Sequence, residues 1–143
     1  MTWIRNALNT FARGVRTQSK YTTHSRIVPK DGYRPDLDKN FRSRMEANCY
    51  RYLTEIPKGI ELVEYEPKIF QLSNGWKYCP DFRITTKGFI YYIEVKGNLD
   101  SISIIKIQSF KKDYPELKLY IITPKEYNSI RKLYSKKIKN WEI

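Results

Sequence analysis

The sequence predicts a mixed α/β fold: an αβββαβ core followed by one more helix, with helices flanking a mixed sheet. Three observations predict it. Apolar residues recur at helical spacing over 41–56, and two turn signals, Asn74-Gly75 and Thr86-Lys87-Gly88, divide residues 62–96 into three strand-like runs. A buried-type strand, Leu117–Ile122, then runs directly into Thr123-Pro124-Lys125-Glu126, which has the layout of a helix start. A chain of 143 residues suits one compact domain with an extended arm.

Taken in order, residues 1–40 read as a basic, largely irregular arm and residues 41–143 as the folded domain. Over 12–40, Thr, Ser, Arg, Lys, Asp and Pro succeed one another without helical or strand periodicity, which reads as an irregular or disordered arm that a partner can order. Trp3, Ile4, Leu8 and Phe11 suggest a short amphipathic helix ahead of it. The ordered part is expected to begin near Asn40. Phe41, Met45, Cys49, Tyr52, Leu53 and Ile56 share one helical stripe, ended by Pro57 and Gly59.

Leu62–Leu72, Trp76–Ile84 and Phe89–Lys96 follow as antiparallel strands. Asn74-Gly75 predicts a two-residue hairpin turn with both residues at positive φ. Asp100 or Ser101 caps a helix with Ile102, Ile105 and Phe110 facing inward, ending at Tyr114-Pro115. The crossover through that helix to Leu117–Ile122 is expected to be parallel and right-handed. The capping signal at 123–126 opens a last helix reaching about Ile138.

The charge pattern points to a polyanion. The chain holds 27 Lys+Arg against 15 Asp+Glu, a formal net charge of +12. Residues 1–30 carry six basic side chains, Arg5, Arg13, Arg16, Lys20, Arg26 and Lys30, and no acidic one. The segment after Pro124 is also basic, whereas nearly all carboxylates lie between. Basic ends around an acid-containing core suit phosphate contact, and nucleic acid is the partner expected first. An anionic membrane ranks second on charge alone. No apolar run is long enough for a membrane span, so the chain is not expected to be an integral membrane protein, and no membrane is carried forward as a partner. Met1-Thr-Trp-Ile-Arg5 lacks the layout of a secretory signal. The two cysteines, Cys49 and Cys79, are accordingly expected to be reduced thiols in a cytoplasmic protein. They lack zinc-site spacing, and His24 is the single histidine, which argues against His- or Cys-ligated metal chemistry.

Four middle residues stand out. Glu94 and Lys96, two apart in a strand, point to one face, while Ile93 and Val95 take the other. Folding the hairpin across Thr86–Gly88 carries Asp81, which follows Pro80, toward Glu94. Two carboxylates brought together repel unless a cation or a proton intervenes, and oxygen ligands without His or Cys suit Mg²⁺ or Mn²⁺. A lysine beside them can orient or deprotonate a water, or stabilise charge building on phosphorus. Glu46, next to inward-facing Met45, offers a third carboxylate from above the sheet.

Pro80-Asp81 followed by Glu94-Val95-Lys96 resembles the motif of the PD-(D/E)xK nuclease superfamily, whose restriction-endonuclease-like core has the element order read above. Within it, the chain is similar to the phage endonuclease I group of Holliday-junction resolving enzymes. The stretches that carry the similarity are Phe41-Arg-Ser-Arg-Met-Glu46, Glu64-Tyr-Glu66, Tyr78-Cys-Pro-Asp-Phe82, Glu94-Val-Lys-Gly97 and Tyr114-Pro-Glu-Leu117, spanning about residues 41–123. The resemblance implies that Asp81, Glu94 and the Val95 backbone carbonyl hold Mg²⁺, for which Mn²⁺ substitutes. It implies that Glu46 completes a second metal site and that Lys96 positions the attacking water. Arg42, Ser43 and Arg44, at the start of the helix bearing Glu46, are expected to meet DNA phosphates, as are Arg13, Arg16 and Lys20 in the arm. A homodimer is implied too, since two sites must act on strands of opposite polarity in a nearly two-fold substrate.

The expected activity is metal-dependent endonucleolytic cleavage of branched DNA, resolving Holliday junctions. Two other readings stand beside it: a duplex-nicking or restriction-type nuclease of the same fold, and a non-catalytic basic nucleic-acid-binding protein.

Overall fold

A computed structural model describes residues 30–143. The amphipathic segment at 3–11 and the cations Arg13, Arg16 and Lys20 lie outside the described residues. A short hairpin comes first, β1 (Gly32–Arg34) and β2 (Lys39–Phe41), then α1 (Arg44–Glu55) and β3 (Ile60–Tyr65). A second hairpin, β4 (Phe70–Gln71) and β5 (Lys77–Tyr78), precedes β6 (Phe82–Thr86) and β7 (Phe89–Val95). The chain closes with α2 (Ser101–Asp113), β8 (Lys118–Ile122) and α3 (Pro124–Tyr134). The main sheet has the order β3-β6-β7-β8; its first three strands are antiparallel, and β8 joins β7 in parallel through α2. This is the mixed α/β arrangement, with a parallel crossover, that the sequence predicts.

Alternation along β7 assigns the two faces of the sheet. Ile93 and Val95 join Phe82, Ile84 and Ile122 in a core covered by α1 (Met45, Cys49, Leu53) and α3 (Tyr127, Ile130). Tyr92 turns the other way, into a core formed with Ile107 and Phe110 of α2 and Phe70, Leu72 and Tyr78 of the β4–β5 hairpin. Each large apolar side chain buried in these layers is worth about 1.5–3 kcal/mol. Cys49 and Cys79 are both free thiols. No helix among the described residues is long and apolar enough to cross a membrane.

Five local expectations are corrected. Order begins before Asn40: β1 and β2 pair over 32–41, and buried ionic contacts hold the hairpin. Arg34 donates to both oxygens of Glu142 at 3.1 Å, and Arg51, 2% exposed, donates to Asp36 at 2.8 and 2.9 Å and to Glu142 at 2.9 Å. The run 62–72 is two strands, because Glu66 takes φ 48° ahead of Pro67. At Asn74-Gly75 only the glycine has positive φ, 86°. Gly75 N–H donates to the Leu72 carbonyl at 3.0 Å and Asn74 Oδ1 accepts from Trp76 N–H at 3.0 Å. The loop is therefore a three-residue turn whose last residue is left-handed, with the Asn side chain holding its exit. Finally, Ile102 and Ile105 are exposed, and only Ile107 and Phe110 of α2 are buried. The last helix stops at Tyr134, short of Ile138.

Candidate active site

Pro80 and Asp81 interrupt what the sequence suggests is one strand, so that Asp81 stands immediately before β6. Its carbonyl accepts from Glu66 N–H at 2.7 Å, which ties it to the end of β3. Phe82 pairs with Ile93, so one step further along the antiparallel register sets Asp81 beside Glu94 on the same face. The Asp81 carboxylate then folds over the end of β7: its Oδ2 accepts from Val95 N–H at 2.7 Å. In a strand the N–H and C=O of one residue point to the same neighbour, so the Val95 carbonyl is directed to this side as well.

Glu94 is 3% exposed, and both of its oxygens are engaged. Lys96 Nζ meets Oε1 at 2.8 Å, and the Tyr78 hydroxyl donates to Oε2 at 3.0 Å. Glu46 is also buried; its Oε2 accepts from the Tyr65 hydroxyl at 2.6 Å and from Arg42 N–H at 3.3 Å. Sequence reasoning missed both tyrosines. The available signal was Tyr78 standing three residues before Asp81.

Two buried carboxylates, Asp81 and Glu94, thus lie beside Lys96, which is bonded to Glu94, and the charge of Glu46 reaches Asp81. Burial, then the charges of Glu94 and Glu46, hold the Asp81 carboxyl well above the usual carboxylate range, against the opposing Val95 N–H and Lys96. Burial alone would lower the Lys96 ammonium, but its hydrogen bond to Glu94 and the charges of Glu94, Asp81 and Asp100 outweigh that and raise it. Burial and the neighbouring Glu94 raise the Tyr78 hydroxyl, and burial and Glu46 raise that of Tyr65. Both tyrosines therefore stay protonated and serve as donors.

The structure brings Asp81, Glu94, Val95 and Lys96 together at the ends of two adjacent strands. Glu46 arrives from α1 on the opposite face; its charge reaches Asp81, but no three Asp, Glu, His or Cys side chains among the described residues are grouped closely enough to hold a metal as a set. The donor chemistry fits a hard divalent cation: oxygen ligands only, buried, with negative charge in excess. Ser43 is the N-cap of α1, its hydroxyl accepting from Glu46 N–H at 3.1 Å, so it lies just outside the first turn rather than within it. Arg42 is exposed and pairs with Glu66, while Arg44 donates to the Ile143 carbonyl at 3.0 Å. Glu64 is taken up by Arg83 across the β3–β6 pair. No protein-family model matches the chain, and no curated protein matches it.

Proposed function

We propose that the protein is a Mg²⁺-dependent, structure-selective DNA endonuclease that resolves Holliday junctions and related branches by paired phosphodiester hydrolysis. The observation that carries the reading is the convergence of Asp81, Glu94 and Lys96: two buried acids from adjacent strands, with a lysine bonded to one of them. The arrangement accords with the restriction-endonuclease-like core that the motif resembles. In this reading the chain works in the cytoplasm of a host cell and pairs as a homodimer, so that two sites face two strands.

Asp81, Glu94 and the Val95 carbonyl would hold Mg²⁺ or Mn²⁺, with Glu46 the outermost carboxylate. Bound there, the metal supplies charge neutralisation at the phosphate and at the attacking and leaving oxygens. The chain's own part is positional. Tyr78 fixes Glu94 through Oε2, and Val95 N–H fixes Asp81 through Oδ2. Lys96, bonded to Glu94 Oε1, would orient a water or meet charge on phosphorus. Arg42, at the mouth of α1, is exposed and suited to a neighbouring phosphate.

The test is cleavage of a synthetic four-way junction, beside a linear duplex of the same sequence, with Mg²⁺, with chelator, and with Asp81→Asn. Paired nicks near the branch point, absent with chelator and reduced at least about 100-fold in Asp81→Asn, are expected, while junction binding persists. Cleavage of both substrates would leave a nuclease without junction selectivity. Cleavage of neither, with Mn²⁺ also tried, would leave a nucleic-acid-binding protein.

A further inference from the structure

The β4–β5 hairpin is held against the C-terminal half of α2. Phe70 and Tyr78 pack edge-on against Phe110 of α2 at 4.9 and 5.3 Å between ring centres. Ser73 donates to Asp113 through its N–H at 2.7 Å and its hydroxyl at 2.8 Å, and the Tyr114 hydroxyl donates to the Gln71 carbonyl at 2.7 Å. All of these hold the hairpin to the C-terminal half of α2. Toward the N-terminal half, the two elements leave a groove lined by Trp76, Lys77, Ile102 and Lys106. Ile102 and Lys106, four apart, share one face of α2. Trp76 is 39% and Ile102 58% exposed, so the groove presents an open aromatic and an open aliphatic surface. Neither Lys77 nor Lys106 enters a salt bridge among the described residues.

We infer that this groove is a subsite for an unpaired nucleotide, with Trp76 and Ile102 holding the base and Lys77 and Lys106 meeting the adjoining phosphates. Large apolar side chains left open to water between two uncommitted cations match the two halves of a nucleotide, an aromatic ring and a charged backbone. A folded protein segment would match the apolar part and leave both lysines without partners. The position fits too. Lys77 is the chain neighbour of Tyr78, whose hydroxyl donates to Glu94, so the groove and the carboxylates share the β4–β5 hairpin. Because hairpin and helix are already fixed to each other, little ordering accompanies binding. The inference rests on the nuclease reading for its biological setting, since a branch point supplies bases that a continuous duplex keeps stacked. The site itself is defined by the groove alone.

The test uses the full chain in chelator, so that nothing is cleaved, with a fluorescently labelled oligothymidylate and a labelled duplex as probes. Trp76→Ala is expected to weaken oligothymidylate binding about tenfold or more and to leave duplex binding within about twofold. Trp76→Phe should recover most of the loss, because a ring remains. Lys77→Ala with Lys106→Ala should lower the salt slope on oligothymidylate by about 1.4, two contacts at ~0.7 each. The inference is overturned if Trp76→Ala binds oligothymidylate as the parent does, if it loses both probes equally, or if Trp76→Phe is as weak as Trp76→Ala. Junction cleavage by the parent, measured separately with Mg²⁺, reports on the nuclease reading. A cleaving parent with a silent Trp76 discards only the subsite, whereas a non-cleaving parent with a Trp76-dependent oligothymidylate discards only the nuclease.

Discussion

At Asp81 a stability cost falls on the group that the proposed function makes a metal ligand. A carboxyl with a folded-state pKa above its unfolded value binds its proton more tightly when folded. Its contribution to stability is therefore present below the ordinary carboxylate range and lost as pH rises toward the raised value. At neutral pH the charge of Asp81 opposes folding, and among the described residues Lys96 is the one cation bonded to its neighbour Glu94. Asp81→Asn keeps an oxygen for Val95 N–H and removes the charge. In chelator at pH 7.5 it should stabilise the chain by about 1–3 kcal/mol, raising Tm, and the gain should vanish below about pH 4, where the parent is protonated in both states. A destabilised Asn variant at pH 7.5 would show that the charge is already compensated. The pairing of Asp81 with Glu94 and the Glu94–Lys96 face were legible in the sequence, because strand alternation and a single turn determine them. The hydroxyls of Tyr65 and Tyr78 were not, since nothing in a tyrosine's spacing shows which polar atom its ring will reach.

Elements whose order comes from neighbouring residues were the legible ones. The stripe Met45, Cys49, Leu53 marks α1, Asp100 caps α2 by accepting from Ser103 N–H at 2.7 Å, and Glu126 accepts from Thr123 N–H at 2.9 Å at the start of α3. The β1–β2 hairpin was illegible because its strands have three residues each and its fixing contacts are distant: Arg34 and Glu142 lie 108 residues apart. Arg51 is the centre of that arrangement, between Asp36, Glu142 and Asn48. Its hydrogen bonds lower the Asp36 carboxyl, and for Glu142 the bonds from Arg34 and Arg51 overcome an opposing burial effect. A lowered folded-state pKa gives stability that is present above the ordinary carboxylate range and lost as pH falls through the lowered value. Arg51→Met, which leaves Asp36 without its guanidinium and Glu142 with Arg34 alone, should cost about 3–5 kcal/mol by urea unfolding at pH 7. The deficit should shrink below about pH 4 as the acids take up protons. A pH-independent deficit would assign the loss to packing of the Arg51 stem instead.

Over the whole molecule, charge is separated in a way that makes two kinds of binding distinguishable. The acidic cluster is enclosed at the ends of β6 and β7, while the sequence before Pro29 holds five of the chain's basic side chains and no acid. If those cations meet phosphates, they contribute affinity without sequence reading, and each contact releases counterions. Removing residues 1–28 tests this while keeping Lys30, whose carbonyl accepts from Arg34 at 2.6 Å and so belongs to the folded hairpin. Junction affinity should fall, and the slope of log affinity against log salt should flatten by up to about 4–5, at ~0.9 per phosphate contact. The Tm should stay unchanged, because the ion pairs of Arg34 and Arg51 remain. An unchanged slope would place the binding charge on the folded part, with Arg42 and the lysines of α2 and α3 as the surfaces left to supply it. A flattened slope with the truncated chain still nicking at the branch point would separate the two roles, attraction by the arm and selection by the folded site.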